Sequence, residues 1–170
     1  QGVSSAASDV YKRQAVTSTT NVFNQTAGTV ISDNFNIGGR SGAGNSDGTS
    51  STVNLSGGMF TINTSFTGPA AGDTNTSALN ISGTADVTLP AFPTSYGTGS
   101  SATITFDGGT LRPTAASASY IASNANLTMF VKAGGITISP ASALDITISE
   151  PLLTHASSLG GGCLLYTSDA

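Results

Sequence analysis

Apolar residues in this chain recur at every second position in short runs, and each run is interrupted by a cluster of small residues. Val53-Asn54-Leu55 is followed by the bend Ser56-Gly57-Gly58, after which Phe60 and Ile62 resume the alternation. Leu79-Asn80-Ile81-Ser82-Gly83-Thr84 repeats the first half, and Val87 and Leu89 repeat the second with one residue inserted. Ile104-Thr105-Phe106-Asp107-Gly108-Gly109-Thr110-Leu111 is a further copy, and Met129 to Ile138 around Gly134-Gly135 is another. Phe23 to Ile31 around Gly28 is a weaker first copy. Alternation of this kind predicts strands. Anchors at positions 28, 58, 84, 109 and 134 lie 30, 26, 25 and 25 residues apart, and so near-constant a period predicts a solenoid.

Strand geometry determines which solenoid. Residues two apart share a face, so Val53 and Leu55 point one way, and Phe60 and Ile62 can point the same way after the bend. One such rung cannot bury its own apolar face, whereas stacked rungs form a continuous core. The expected fold is therefore all-β, a right-handed parallel β-helix with rungs of about 25 residues, incomplete at its C-terminal end. Its core ladder is predicted to run through Val53, Leu55, Leu79, Ile81, Ile104, Phe106, Met129 and Val131, each contributing roughly 1.5 to 3 kcal/mol when fully buried. Gly57, Gly58, Gly83, Gly108, Gly109, Gly134 and Gly135 are the expected structural turns, with Gly58, Gly109 and Gly134 at equivalent corners.

Between the repeats lie segments without periodicity, at 38 to 51, at 68 to 76, and around Pro90, Pro93 and Gly97. These are expected to be loops that project from one edge, where solenoids tend to carry recognition.

Composition refines the picture at three points. Only 8% of residues are charged and the net charge is −4, so charged helical faces are missing and no basic footprint for nucleic acid exists. Disorder is disfavoured too, since disordered chains pair low hydrophobicity with high net charge. The termini are the third point. Ser4 to Gln14 resembles the translation of a transposon-type library adapter, and the same DNA read on the opposite strand, one base out of frame, gives Cys163 to Ala170. Residues 1–14 and 163–170 are therefore expected to be adapter-derived tails that pack on nothing, flanking a repeat region at 15–162. Excluding them removes Cys163, the only cysteine, and with it any disulfide or thiol chemistry.

Residues 104 to 159 carry a family resemblance. Phe106-Asp107-Gly108-Gly109-Thr110-Leu111-Arg112, then Ala133 to Ile138, then Leu144-Asp145-Ile146-Thr147-Ile148-Ser149-Glu150-Pro151-Leu152, resembles the autotransporter-associated β-strand repeat proteins. The resemblance implies a long bacterial surface or secreted chain with a β-helical passenger, and it brings no catalytic residues. A further Gly-rich repeat would be expected after Leu159-Gly160-Gly161. The last native strand is accordingly expected at Leu144 to Ile148, with an open edge able to self-associate.

Candidate chemistry is sparse. His155 is the only histidine, and nothing in the sequence places Asp145 or Glu150 beside it as a triad would require. Asp33, Asp47, Asp73, Asp86, Asp107 and Asp145 are spread one to a rung or loop and suit turns. Gly42 to Gly48 is a loose, single echo of the repeat that binds calcium, too little for a site with six to eight oxygen ligands. Asn24, Asn54, Asn63, Asn75, Asn80 and Asn126 head Asn-x-Ser/Thr sequons, which a Ser/Thr/Asn-rich chain produces readily.

The expectation is a non-catalytic segment with no cofactor and no metal. It would lie outside the cell or on the outer-membrane surface, reach the membrane only through a C-terminal region, and meet an extracellular ligand that the sequence does not identify, with a glycan or a host or cell surface as the candidates. Two alternatives make different demands: a carbohydrate-binding or polysaccharide-degrading β-helix needs converging acids, and a β-sandwich adhesion module needs antiparallel strands.

Overall fold

A computed structural model describes residues 20–38, 48–69, 74–140, 144–156 and 164–166. It is a parallel β-solenoid of about five turns, with no helix among the described residues. Twelve strands run in chain order: β1 (Thr20–Gln25), β2 (Thr29–Asn36), β3 (Ser50–Leu55), β4 (Met59–Thr67), β5 (Thr76–Leu89), β6 (Ser101–Pro113), β7 (Ser117–Ile121), β8 (Leu127–Val131), β9 (Ile136–Ile138), β10 (Ile146–Ile148), β11 (Leu152–Thr154) and β12 (Leu164–Tyr166).

The first face stacks β1, β3, β5, β6, β8 and β11 in that order. Its pairs Thr20↔Ser50, Ser50↔Thr76, Thr76↔Ser101 and Ala102↔Leu127 advance by 30, 26, 25 and 25 residues, the same steps as the glycine anchors. Every pairing among the described strands is parallel, which an antiparallel sandwich does not have. The second face stacks β2, β4, the far half of β5, the far half of β6, β9 and β12. Strands β5 and β6 are long because they run through the corner, their pairing resuming at Asp86↔Thr110 after a register shift beyond Gly83↔Gly108.

Alternation places the core. Val53, Leu79, Ile104 and Met129 form one register row, Leu55, Ile81, Phe106 and Val131 the next, and all eight are buried. On the second face Phe60, Val87, Leu111 and Ile138 make the facing row, also buried. Phe106 is 2% exposed, stacked between Ile81 and Val131.

Corners are tight where rungs stack through main chain. Gly58 has φ +79, and a Cβ there would run into the carbonyl of Gly28 one rung away; Gly28 has the same φ and open space around it. Gly58 and Gly109 are equivalent through Met59↔Asp86 and Asp86↔Thr110. Gly134 departs from the expected equivalence. Phe106 pairs with Val131 and Thr110 with Thr137, so the last corner holds two extra residues and Gly134 lies over Asp107 instead of Gly109. The Gly134 N–H donates to the Asp107 carboxylate at 3.0 Å, which anchors the enlarged turn.

Three further expectations are corrected. Ser50, Ser51 and Thr76, expected in loops, belong to β3 and β5. The strand at Ile146–Ile148 is not the last, because β11 pairs with β8 through Leu152↔Met129. Leu164–Tyr166, expected to touch nothing, pairs with β9. Two leucines and a tyrosine can form a strand whatever their origin, and the β9 edge offers them main-chain partners. Residues 1–14 lie outside the described residues, as do 39–47, which contain most of the calcium-like echo.

Two stability predictions follow from core and corner. Phe106→Asp should lower stability by more than about 4 kcal/mol through an unpaired buried charge, and a melting midpoint within a few degrees of the parent would refute the burial argument. Gly28→Ala should cost about 1 to 2 kcal/mol for the left-handed backbone alone, and Gly58→Ala clearly more because the Gly28 carbonyl must also move. Equal losses in urea melts would mean that the corners do not stack tightly.

Candidate functional site

The third side of the solenoid is where the rungs differ most. Its inner lining is aromatic: Phe35 and Phe66 lie 6.0 Å apart, Phe66 and Phe92 5.8 Å, and Phe92 and Tyr120 5.7 Å between ring centroids. The segment around Pro90 and Pro93, expected to project as a loop, instead contributes buried Phe92 and Tyr96. Spacing carried a signal for this, since aromatics at 35, 66, 92 and 120 step along the chain with nearly the strand period. The absence of alternation around them hid it.

Main-chain pairing on this side is discontinuous. Asn34–Asn36 pairs with Ser65–Thr67, and β7 pairs with β10. Between these, Pro90 and Pro93 have no N–H to offer, and the Phe92 N–H donates forward to Tyr120 O at 2.9 Å. Strand β4 pairs with β5 only from Met59 to Thr61. A surface groove of about 470 Å³ opens over this lapse, lined by Asn36 and Thr64 to Pro69 on one wall and by Pro90 to Ser95 on the other.

No charged side chain lines the groove among the described residues. Asn36 Nδ2 donates to Thr67 Oγ1 at 2.8 Å and to Gly68 O at 3.3 Å, fixing one wall. Ser65 Oγ donates to Asn34 Oδ1 at 2.8 Å. Gly68 packs so closely against the Tyr96 ring that a Cβ there would meet it at 2.9 Å. Behind the other wall, Asn124 Nδ2 donates to Thr94 O, and Asn126 Nδ2 donates to Tyr96 O and Gly97 O. The groove is thus held by amides reaching between rungs.

The acids are held in the same way. Asp33 accepts from Asn63 Nδ2 at 3.0 Å, Asp86 pairs with Arg112 at 2.8 Å, and Glu150 accepts from the Asn124 N–H at 2.9 Å. With Asp107 on Gly134, these carboxylates each tie neighbouring turns at a separate place. No group of three or more His, Cys, Asp or Glu side chains that could hold a metal occurs among the described residues. His155 lies edge-on to Phe130 at 5.1 Å; it follows Thr154, which pairs with Val131, and so stands two rungs along the stack from Asp107.

The sequon asparagines are structural where described. Asn54 Nδ2 donates to Asn24 Oδ1 at 2.7 Å and Asn80 Nδ2 to Asn54 Oδ1 at 2.8 Å, an amide ladder on the outside of the first face. Asn75 is 1% exposed, accepts from the Thr49 N–H and donates to Gly38 O, so it staples the corner before β5. Repetition of Asn at 24, 54 and 80 with the strand period was the available clue to the ladder. Nothing in the sequence distinguished Asn75.

Both buried tyrosines are held in the neutral form. Burial pushes the Tyr120 phenol well above its ordinary range; Tyr96 is raised by burial and, secondarily, by the Glu150 carboxylate. The unfolded chain ionises its tyrosines near pH ~10 while the folded state keeps these two protonated, so stability is fully present below that pH and falls as pH rises beyond it. In an alkaline titration the phenolate absorbance of Tyr96 and Tyr120 should appear only with loss of the β-sheet circular dichroism. Reversible ionisation of all four tyrosines near pH ~10, with the sheet signal intact, would contradict this. Tyr96→Phe combined with Tyr120→Phe should flatten the loss of stability above that pH.

No protein family, curated protein or solved structure gives a significant match to the chain, so its function is read from its own surfaces.

Proposed function

We propose that residues 15–162 form a non-catalytic structural segment of a secreted or cell-surface repeat protein, an autotransporter-like passenger or adhesin stalk. One observation carries the reading: the described carboxylates with side-chain contacts are used, one turn at a time, to tie rung to rung. An acid committed to a neighbouring turn is poorly placed to share a substrate with a second acid, whereas polysaccharide-cleaving chemistry needs convergent groups. A core continuous through the rungs suits a rod whose length is its purpose. Low charge and outward Ser, Thr and Asn are compatible with life outside the cell, where such a rod would hold a binding region away from the surface. Partners in this reading are an extracellular glycan or a cell surface, and no cofactor is required.

Two measurements test it. Incubation with pectin, alginate and chitin polymers, with and without calcium, should release no new chain ends; turnover abolished by Asp107→Ala or His155→Ala would replace the scaffold reading with an enzyme. Residues 15–162 fused between a secretion signal and an outer-membrane translocator barrel should reach the surface as a protease-resistant rod. Retention inside the cell, while an established passenger passes, would count against the export role.

A further inference from the structure

We infer that the groove between the Thr64–Pro69 and Pro90–Ser95 walls binds a neutral oligosaccharide. The inference concerns a ligand, not the route of export, and holds in any compartment. Its first support is the lining, which pairs half-buried Pro90 and Ala91 with exposed hydroxyl side chains and, among the described residues, contains no charged group. A sugar ring offers the complement, one apolar C–H face and a rim of hydroxyls. An acidic sugar would bring a carboxylate to walls whose described residues offer no cation, and desolvating that charge unpaired is costly.

The second support is unused hydrogen-bonding capacity. Thr64, Thr94 and Ser95 stand exposed around the opening, and their hydroxyls hold no hydrogen bond to another described residue. Asn36, by contrast, spends its amide nitrogen on Thr67 and Gly68, which keeps its own wall rigid. Free donors on a fixed frame bind with little ordering cost.

The third support excludes the other extended ligand. A peptide could add to the β4 edge if the rungs parted, but Phe66 and Phe92 meet at 5.8 Å beneath the groove, close to a one-rung spacing. No strand fits between them. A ligand must lie over the lapse, where side-chain hydroxyls and proline rings face it. A volume of about 470 Å³ suits about two or three sugar rings.

The test uses the full chain and titrates maltotriose, cellotriose, chitotriose and trigalacturonate by calorimetry and amide chemical shifts. At least one neutral trisaccharide should bind with Kd of about 0.1 to 1 mM, with shifts clustered at residues 64–69 and 90–95. Thr64→Val combined with Thr94→Val should weaken it at least about fivefold, since two neutral hydrogen bonds are worth at least that factor. Ser95→Trp should block the opening. Thr128→Val on the first face should leave affinity unchanged, and melting curves would establish that all variants fold. The proposal is overturned if no neutral sugar binds up to about 10 mM, if binding ignores the groove variants, or if trigalacturonate binds as tightly as the neutral sugars. The inference deepens the glycan partner of the proposed function, and its failure would remove that partner while leaving the scaffold role, which stands or falls on turnover and export.

Discussion

Everything in this molecule depends on one constraint: a rung of two or three short strands cannot cover its own apolar side chains, so each rung is folded only while its neighbours are in register. Leu55 is buried because Ile81 lies beneath it, and Ile81 because Phe106 does. Parallel pairing enforces this by placing each side chain over its counterpart, so a slip of one residue would turn the whole apolar row to solvent. Close stacking in turn fixes the corners, where the Gly28 carbonyl occupies the space a side chain at position 58 would need.

The same stacking explains how a chain with so few charges holds its polar residues. Identical amides one rung apart can donate to the rung before and accept from the rung after, as Asn54 does between Asn24 and Asn80. Inside the corners, Asn75 satisfies the main chain of two other turns and therefore tolerates nearly complete burial. Carboxylates follow suit on Asn63, Arg112, Gly134 and Asn124. Polar chemistry is thereby drawn into holding rungs together.

Where stacking lapses, the surface changes character. Two prolines prevent the third side from completing its ladder, yet the aromatic rings behind them continue from Phe35 to Tyr120. Side-chain packing keeps the rungs together while the outer main chain parts, and the result is a groove on an intact core. Such a groove costs little stability, because the apolar contacts that hold the fold are not interrupted.

The sequence by itself determined the solenoid, its period and the members of its main ladder, since alternation fixes which side chains share a face and a constant step fixes which ones meet. Loop boundaries and the last strand are not legible along the chain, because Ser50, Ser51 and Thr76 carry no apolar signal and Leu152–Thr154 is too short to show a period. Only the tertiary structure decided that Gly134 sits over Asp107 and that Asn75 lies inside a corner. It alone also showed that Pro90 and Pro93 frame a groove instead of a projecting loop. The physical reason is common to all three. Each depends on which residue of another turn lies opposite, and small insertions at corners shift that partner while leaving the local pattern along the chain unchanged.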